Sequence, residues 1–201
     1  MIDILKRLRV SGIVLPAVLI GVSAVISAPA LIKLTGGAQS GAQAATTLKT
    51  RTASCPGVAF FPESSDTDYD TYKSLRMRTS TNGGAAFWCN ADLPNKATVT
   101  KVVFDVVDIS SLGYVNSCSL FAIPVNASGA SAVIMASVPS TLSVAMPGRV
   151  LLTDTTISGN PTNNGTTGYA LICYLETGGD PDFPVGLFGA SITYTITAGN
   201  G

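Results

Sequence analysis

The sequence predicts an all-β protein: a two-sheet antiparallel sandwich, jelly-roll-like, behind an N-terminal apolar signal or anchor helix. Three observations predict it. After residue 45 no stretch keeps a helical period. Short apolar or alternating runs are divided instead by clusters of Gly, Pro, Asn, Asp and Ser. Charge is also sparse, 12% of 201 residues, about half the roughly 25% of an average globular chain.

The N-terminal element comes first. Lys6, Arg7 and Arg9 precede a run from Val10 to Ile32 that carries no charge. A small-residue tail then ends in Ala42-Gln43-Ala44. A basic start, an apolar run and an Ala-x-Ala tail form the pattern of a secretory signal. The run also has the length of a signal anchor. The expected organisation is therefore a signal peptide or anchor with its linker at 1–45, and a β-sandwich domain at 46–201. Either way the domain is exported, secreted or held at the cell surface, and it meets a membrane only through the N-terminal segment.

Strands are expected at 58–61, 75–80, 85–91, 98–107, 115–125, 132–138, 149–153, 169–176 and 185–197. Alternation assigns their faces. Val102, Phe104 and Val106 share one side, with Lys101 and Asp105 on the other. Cys118, Leu120 and Ala122 oppose Ser117, Ser119 and Phe121. Ala190, Ile192, Tyr194 and Ile196 oppose Ser191, Thr193, Thr195 and Thr197. Ser and Thr make an outer face polar without charge and favour strands. Val102, Phe104, Val106, Leu120, Leu171, Cys173, Ile192 and Tyr194 are the expected inner layer.

All four cysteines, Cys55, Cys89, Cys118 and Cys173, lie in the exported part. An even count in an oxidising compartment indicates two disulfides. Three connectivities are open. The strand patterns around Cys118 and Cys173 favour that pair, which leaves Cys55 with Cys89. The absence of Cys-x-x-Cys disfavours zinc and thioredoxin-like chemistry.

Histidine is absent from the chain. That removes Ser-His and Cys-His catalytic pairs and His-ligated zinc. Without Lys6, Arg7, Arg9, Lys33 and Asp3, the even balance of 12 basic and 12 acidic residues becomes mildly acidic. Such a domain is not a nucleic-acid binder.

Phe60-Phe61-Pro62, the segment LPNKATVTKVVFDVVD from Leu93 to Asp108 and GLFGASITYTI from Gly186 to Ile196 together carry a resemblance. They resemble exported bacterial β-sandwich proteins of unassigned function, whose middle holds a Leu-Pro-x-x-Ala-x-Val-Thr strand entry. The resemblance covers most of residues 55–197. It implies fold and export and brings no functional residue with it.

Three groups of residues bear on chemistry. Asp66, Asp68 and Asp70 alternate, as carboxylates gathering on Ca²⁺ do. The EF-hand pattern fails at Thr71 and Met77, and a solvated turn with Asp side chains capping backbone N–H groups serves equally. No cofactor is otherwise expected. Trp88, the single tryptophan, points away from Cys89. It is either a core residue or, with Tyr69, Tyr72 or Tyr114, an exposed platform for sugar rings. Glu63, Asp105, Asp108 and Glu176 supply carboxylates, but no spacing singles out a hydrolytic pair.

The leading expectation is a non-enzymatic exported domain, structural or adhesive. The alternative is a carbohydrate-binding module built on Trp88 and nearby tyrosines, with a glycan or other cell-surface component as partner. Sandwich edges also leave self-association open.

Overall fold

Eleven strands form among the described residues of the computed structural model, the longer ones, such as Thr98–Asp108 and Val185–Thr197, on a period-two alternation. The described residues are 47–72, 75–78, 83–110, 112–125, 129–142, 148–177 and 185–198; the expected signal or anchor lies outside them. The strands are β1 (Leu48–Pro56), β2 (Phe61–Pro62), β3 (Tyr69–Tyr72), β4 (Leu75–Arg78), β5 (Gly84–Asn90), β6 (Thr98–Asp108), β7 (Tyr114–Pro124), β8 (Val133–Val138), β9 (Gly148–Asp154), β10 (Thr167–Glu176) and β11 (Val185–Thr197).

Two antiparallel sheets form. One runs β3-β4-β11-β6-β9, with β1 also on β11; the other runs β2-β5-β10-β7-β8. From β4 to β11 the chain is a long antiparallel hairpin wrapped on itself. β4 pairs β11, β5 pairs β10, β6 pairs β9 and β7 pairs β8. Every connection in this stretch changes sheet except the one from β7 to β8. That winding is a jelly roll.

The core lies between the sheets. All eight residues of the expected inner layer are buried there, joined by Phe60, Phe87, Leu93, Val115, Leu175 and Leu187. Four bulges set which side chains reach it, among them Asn116 in β7, which leaves Val115 and Cys118 both pointing inward. Phe188 is an extra residue between Leu187 and Gly189, so Leu187 and Ala190 both point inward. Thr100 does the same for Val99 and Val102, and Met135 for its stretch of β8.

The disulfides hold two different joints. Cys55–Cys89 ties β1 of one sheet to β5 of the other. Cys118–Cys173 joins directly opposed residues of β7 and β10 on the core side of one sheet. The Leu93–Val99 entry into β6 closes one end of the sandwich. Ala97 N–H donates to Thr162 Oγ1 at 2.8 Å, Val99 N–H to Asn160 Oδ1 at 2.8 Å, and Thr162 Oγ1 to the Pro94 carbonyl at 2.6 Å.

The structure differs from expectation at the N-terminal side. Of the expected strand 58–61 only Phe61 is in a strand, the two-residue β2; residues 58–60 are not. Pro56 and Pro62 flank them, and Gly57–Ala59 is a 3₁₀ turn in which Phe60 N–H bonds to Gly57 O. β1 and β3 were not expected. β1 is almost wholly exposed, so it shows no apolar alternation; pairing with β11 along all nine residues holds it in place. β3 takes in part of the acidic segment, because Tyr69–Tyr72 pairs with β4.

Two of the edges, β8 and β1, are protected. Ser158 N–H donates to Met135 O and Ser137 N–H to Asp154 Oδ2, at 2.9 and 2.8 Å, which occupies the outer side of β8. On β1, Lys49 and Arg51 share the core-side parity of Cys55, opposite Ile196 and Tyr194. Inward-pointing charges on an edge oppose sheet-to-sheet pairing.

Candidate functional site

The five-stranded sheet is apolar on both faces. In β10 the run Tyr169–Cys173 is buried without a break. One parity faces the core. The other, Ala170 and Ile172, forms a second cluster on the outer face with Ala86 and with half-buried Trp88, Phe121 and Ile123. An exposed sandwich face ordinarily alternates to polar, so this cluster is the feature in need of a role.

Register orders the face into rows. Phe61, Trp88, Ile172, Ser119 and Ser137 stand side by side across β2, β5, β10, β7 and β8. One row away, Tyr174 lies between Ala86 and Ser117. On the opposite side, Ala170 pairs with Phe121 and Phe121 with Ile134. Beyond Tyr174, Glu176 lies between Gly84 and Tyr114. The row from β2 to β8 spans about 19 Å at ~4.8 Å per strand.

A groove of about 320 Å³ opens on this face. Its floor is Ile172 and Ser119, both buried. Trp88, Phe121, Ile134 and Tyr174 rise around it, Ile134 50% and Tyr174 42% exposed. Phe61, beside Trp88, is 50% exposed. Ser119 and Ser137 hydroxyls bond each other at 3.0 Å, and Ser117 adds a third hydroxyl. The Trp88 indole Nε1 is buried without a partner, so the ring serves the face as an apolar surface.

Of the sequence-derived candidates, Trp88 and Tyr114 share this face. Tyr69 does not. It stands on the six-stranded sheet, its ring edge-on to core residue Phe87 at 5.9 Å, with the Arg76 guanidinium 4.6 Å above it. Tyr72 belongs to β3 by its backbone. Asp66, Asp68 and Asp70 are exposed, and Asp70 Oδ1 accepts from Thr71 N–H at 2.7 Å. Among the described residues no three His, Cys, Asp or Glu side chains gather as a metal-ion cage.

Sequence reasoning passed over Phe61, Ile134, Ile172 and Tyr174. The signal was available for two of them. Placing Cys173 inward puts Ile172 and Tyr174 outward by parity. Phe61 and Ile134 depend on partners that only the register supplies.

Of the carboxylates Glu63, Asp105, Asp108 and Glu176, the two glutamates border the Trp88 face, while the two aspartates stand apart from it and from each other. Asp105 lies on the outer face of the other sheet, bound by Arg149 through Nε at 2.7 Å and through Nη2. This pairing holds the Arg149 guanidinium above its ordinary pKa, chiefly by its hydrogen bond to Asp105, and Arg149 also stacks 4.3 Å over Phe188. Asp108 points into the sandwich, one oxygen accepting from the Thr141 hydroxyl and the other buried without a partner. Glu176 lies over Gly84 on the Trp88 face.

No protein-family model and no curated protein matches the chain. Solved structures do. The C-terminal CBM6 of LamC, a marine laminarinase of Zobellia galactanivorans, is 12% identical, with a TM-score of 0.40 over 71% of this chain and 99% of that one. The low-affinity xylan-binding module CBM86 of the gut symbiont Roseburia intestinalis is 17% identical, with a TM-score of 0.32 over 75% of this chain and 99% of that one.

Proposed function

We propose that residues 46–201 form a non-catalytic carbohydrate-binding domain, exported from a bacterial cell, that takes its ligand on the outer face of the five-stranded sheet. One observation carries this reading. A face expected to be polar holds Phe61, Trp88, Phe121, Tyr174 and Tyr114, with serine hydroxyls between them. A sugar ring has an apolar C–H face and a rim of hydroxyls. Aromatic side chains offer large apolar contact area to the first, and a few convergent polar groups orient the second.

Of the two readings that the sequence leaves open, a purely structural role gives this groove nothing to do. Export rests on the N-terminal signal pattern and on two disulfides, which persist in oxidising compartments. Native electrophoresis in gels containing polysaccharide tests the proposal. The chain is expected to be retarded by at least one polysaccharide, and Trp88→Ala to run freely. Equal retardation of the variant would place the site elsewhere.

A further inference from the structure

We infer that the ligand of this face is an uncharged glycan, and that acidic glycans are turned away by Glu63 and Glu176. This inference rests on the proposed function and goes further, to the substrate class. The nine side chains around the groove are aromatic, aliphatic or seryl; none is a lysine, arginine, aspartate or glutamate. The charges that border it are negative: Asp154 at its β8 edge, where Oδ2 accepts from Ser137 N–H at 2.8 Å, and Glu176 and Glu63 on its Tyr174 side. Glu176 shares the outer parity of Ile172 and Tyr174, one row beyond Tyr174. Glu63 follows β2 directly and is exposed at the border of the face, its N–H donating to Ala86 O at 2.9 Å.

Among the described residues the cations stand elsewhere. The strand lysines and arginines among the described residues all belong to the six-stranded sheet, and Lys96 lies in the loop between β5 and β6. Recognition of uronate, sialate or sulfate calls for a lysine or an arginine fork, and among the described residues this face presents neither. An anionic polymer laid across Trp88 and Tyr174 would bring its charges against two carboxylates. A neutral chain meets rings and hydroxyls only, and its binding is insensitive to salt, since no ion pair is there to be screened.

Affinity electrophoresis of the full chain separates the outcomes. One set of gels contains neutral polymers: xylan, laminarin, galactomannan and hydroxyethyl cellulose. The other contains polygalacturonate, alginate and carboxymethyl cellulose. Retardation is expected in the neutral set alone, equal at low and high salt. The double variant Glu63→Gln/Glu176→Gln should keep its neutral binding and gain retention by acidic polymers at low salt. The expected gain is roughly two- to fivefold per charge removed, the scale of exposed charge interactions.

Acidic polymers retarding the unaltered chain as strongly as neutral ones, or a double variant that gains nothing, would overturn the inference while leaving carbohydrate binding standing. No retardation in any gel would overturn the proposed function and this inference with it. A dimer in gel filtration that Trp88→Ala dissolves would make a second copy of the chain the occupant, and would overturn both.

Discussion

Trp88 and Ile172 stand directly opposite each other on β5 and β10, on the side of the sheet turned away from the core. Their neighbours in sequence, Phe87 and Cys173, oppose each other on the core side and are fully buried. One pair of strands thus contributes a core layer and a surface platform, from residues one position apart. The two layers answer differently to mutation.

Phe87→Ala is expected to cost about 3–5 kcal/mol, the usual range for emptying a buried aromatic site. Trp88→Ala removes a half-buried ring from a satellite cluster and should cost clearly less. Trp88→Phe removes an indole N–H that has no acceptor, an unmet group of the kind that costs about 1–3 kcal/mol, and this offsets the lost ring area. Its melting temperature should therefore stay close to that of the unaltered chain. Thermal denaturation of the three variants checks the order. A Trp88→Ala loss as large as that of Phe87→Ala would make Trp88 a core residue.

Phe104→Ala should lower stability by about 3–5 kcal/mol, against a total of roughly 5–15 for a domain. Lys101→Ala, on the exposed side of the same strand, should leave urea denaturation almost unchanged.

Gly189 lies where β11 passes β1. A Cβ there would stand 2.7 Å from the Cys55 carbonyl oxygen and 3.2 Å from Pro56 Cα. Backbone cannot swing aside as a long side chain does, so Gly189→Ala must push β1 off β11. Hydrogen exchange should show loss of protection in Leu48–Pro56 while β5 and β10 keep theirs.

Thr141 joins three segments. Its hydroxyl donates to the Asp108 carboxylate and accepts from Val115 N–H at 2.9 Å, and its own N–H donates to Val115 O at 2.9 Å. Thr141→Val keeps the shape and strands two buried groups, so a loss of about 2–4 kcal/mol is expected, most of it from the unmet Asp108 carboxylate. Thr141→Ser keeps the hydroxyl and should recover most of that stability, as equilibrium unfolding in urea would show.

Much of the fold was legible in the chain, for a physical reason. Where a strand has one wet and one dry face, as at Val102–Asp108 or Ala190–Ile196, alternation states both the strand and its orientation. β1 was illegible because it buries almost nothing and is held by backbone pairing. The bulge at Phe188 was illegible because an extra residue breaks parity without a local mark. It sends Leu187 inward, where strict alternation from Ala190 would turn it out. The candidate site was half legible. Parity placed Trp88 away from Cys89, and Phe121 opposite Cys118. It could not bring β5, β10, β7 and β8 into one sheet, and so could not exclude Tyr69, which belongs to the other.

The central claim is that the outer face around Trp88 meets the ligand. The chain has one tryptophan, so its emission reports on that face alone. The decisive measurement is a fluorescence titration, with iodide quenching, using a polysaccharide that retards the chain in gels. The account predicts a saturable blue shift and a loss of iodide access as the ring is covered. Retardation by the polymer with Trp88 emission and quenching unchanged throughout would contradict it.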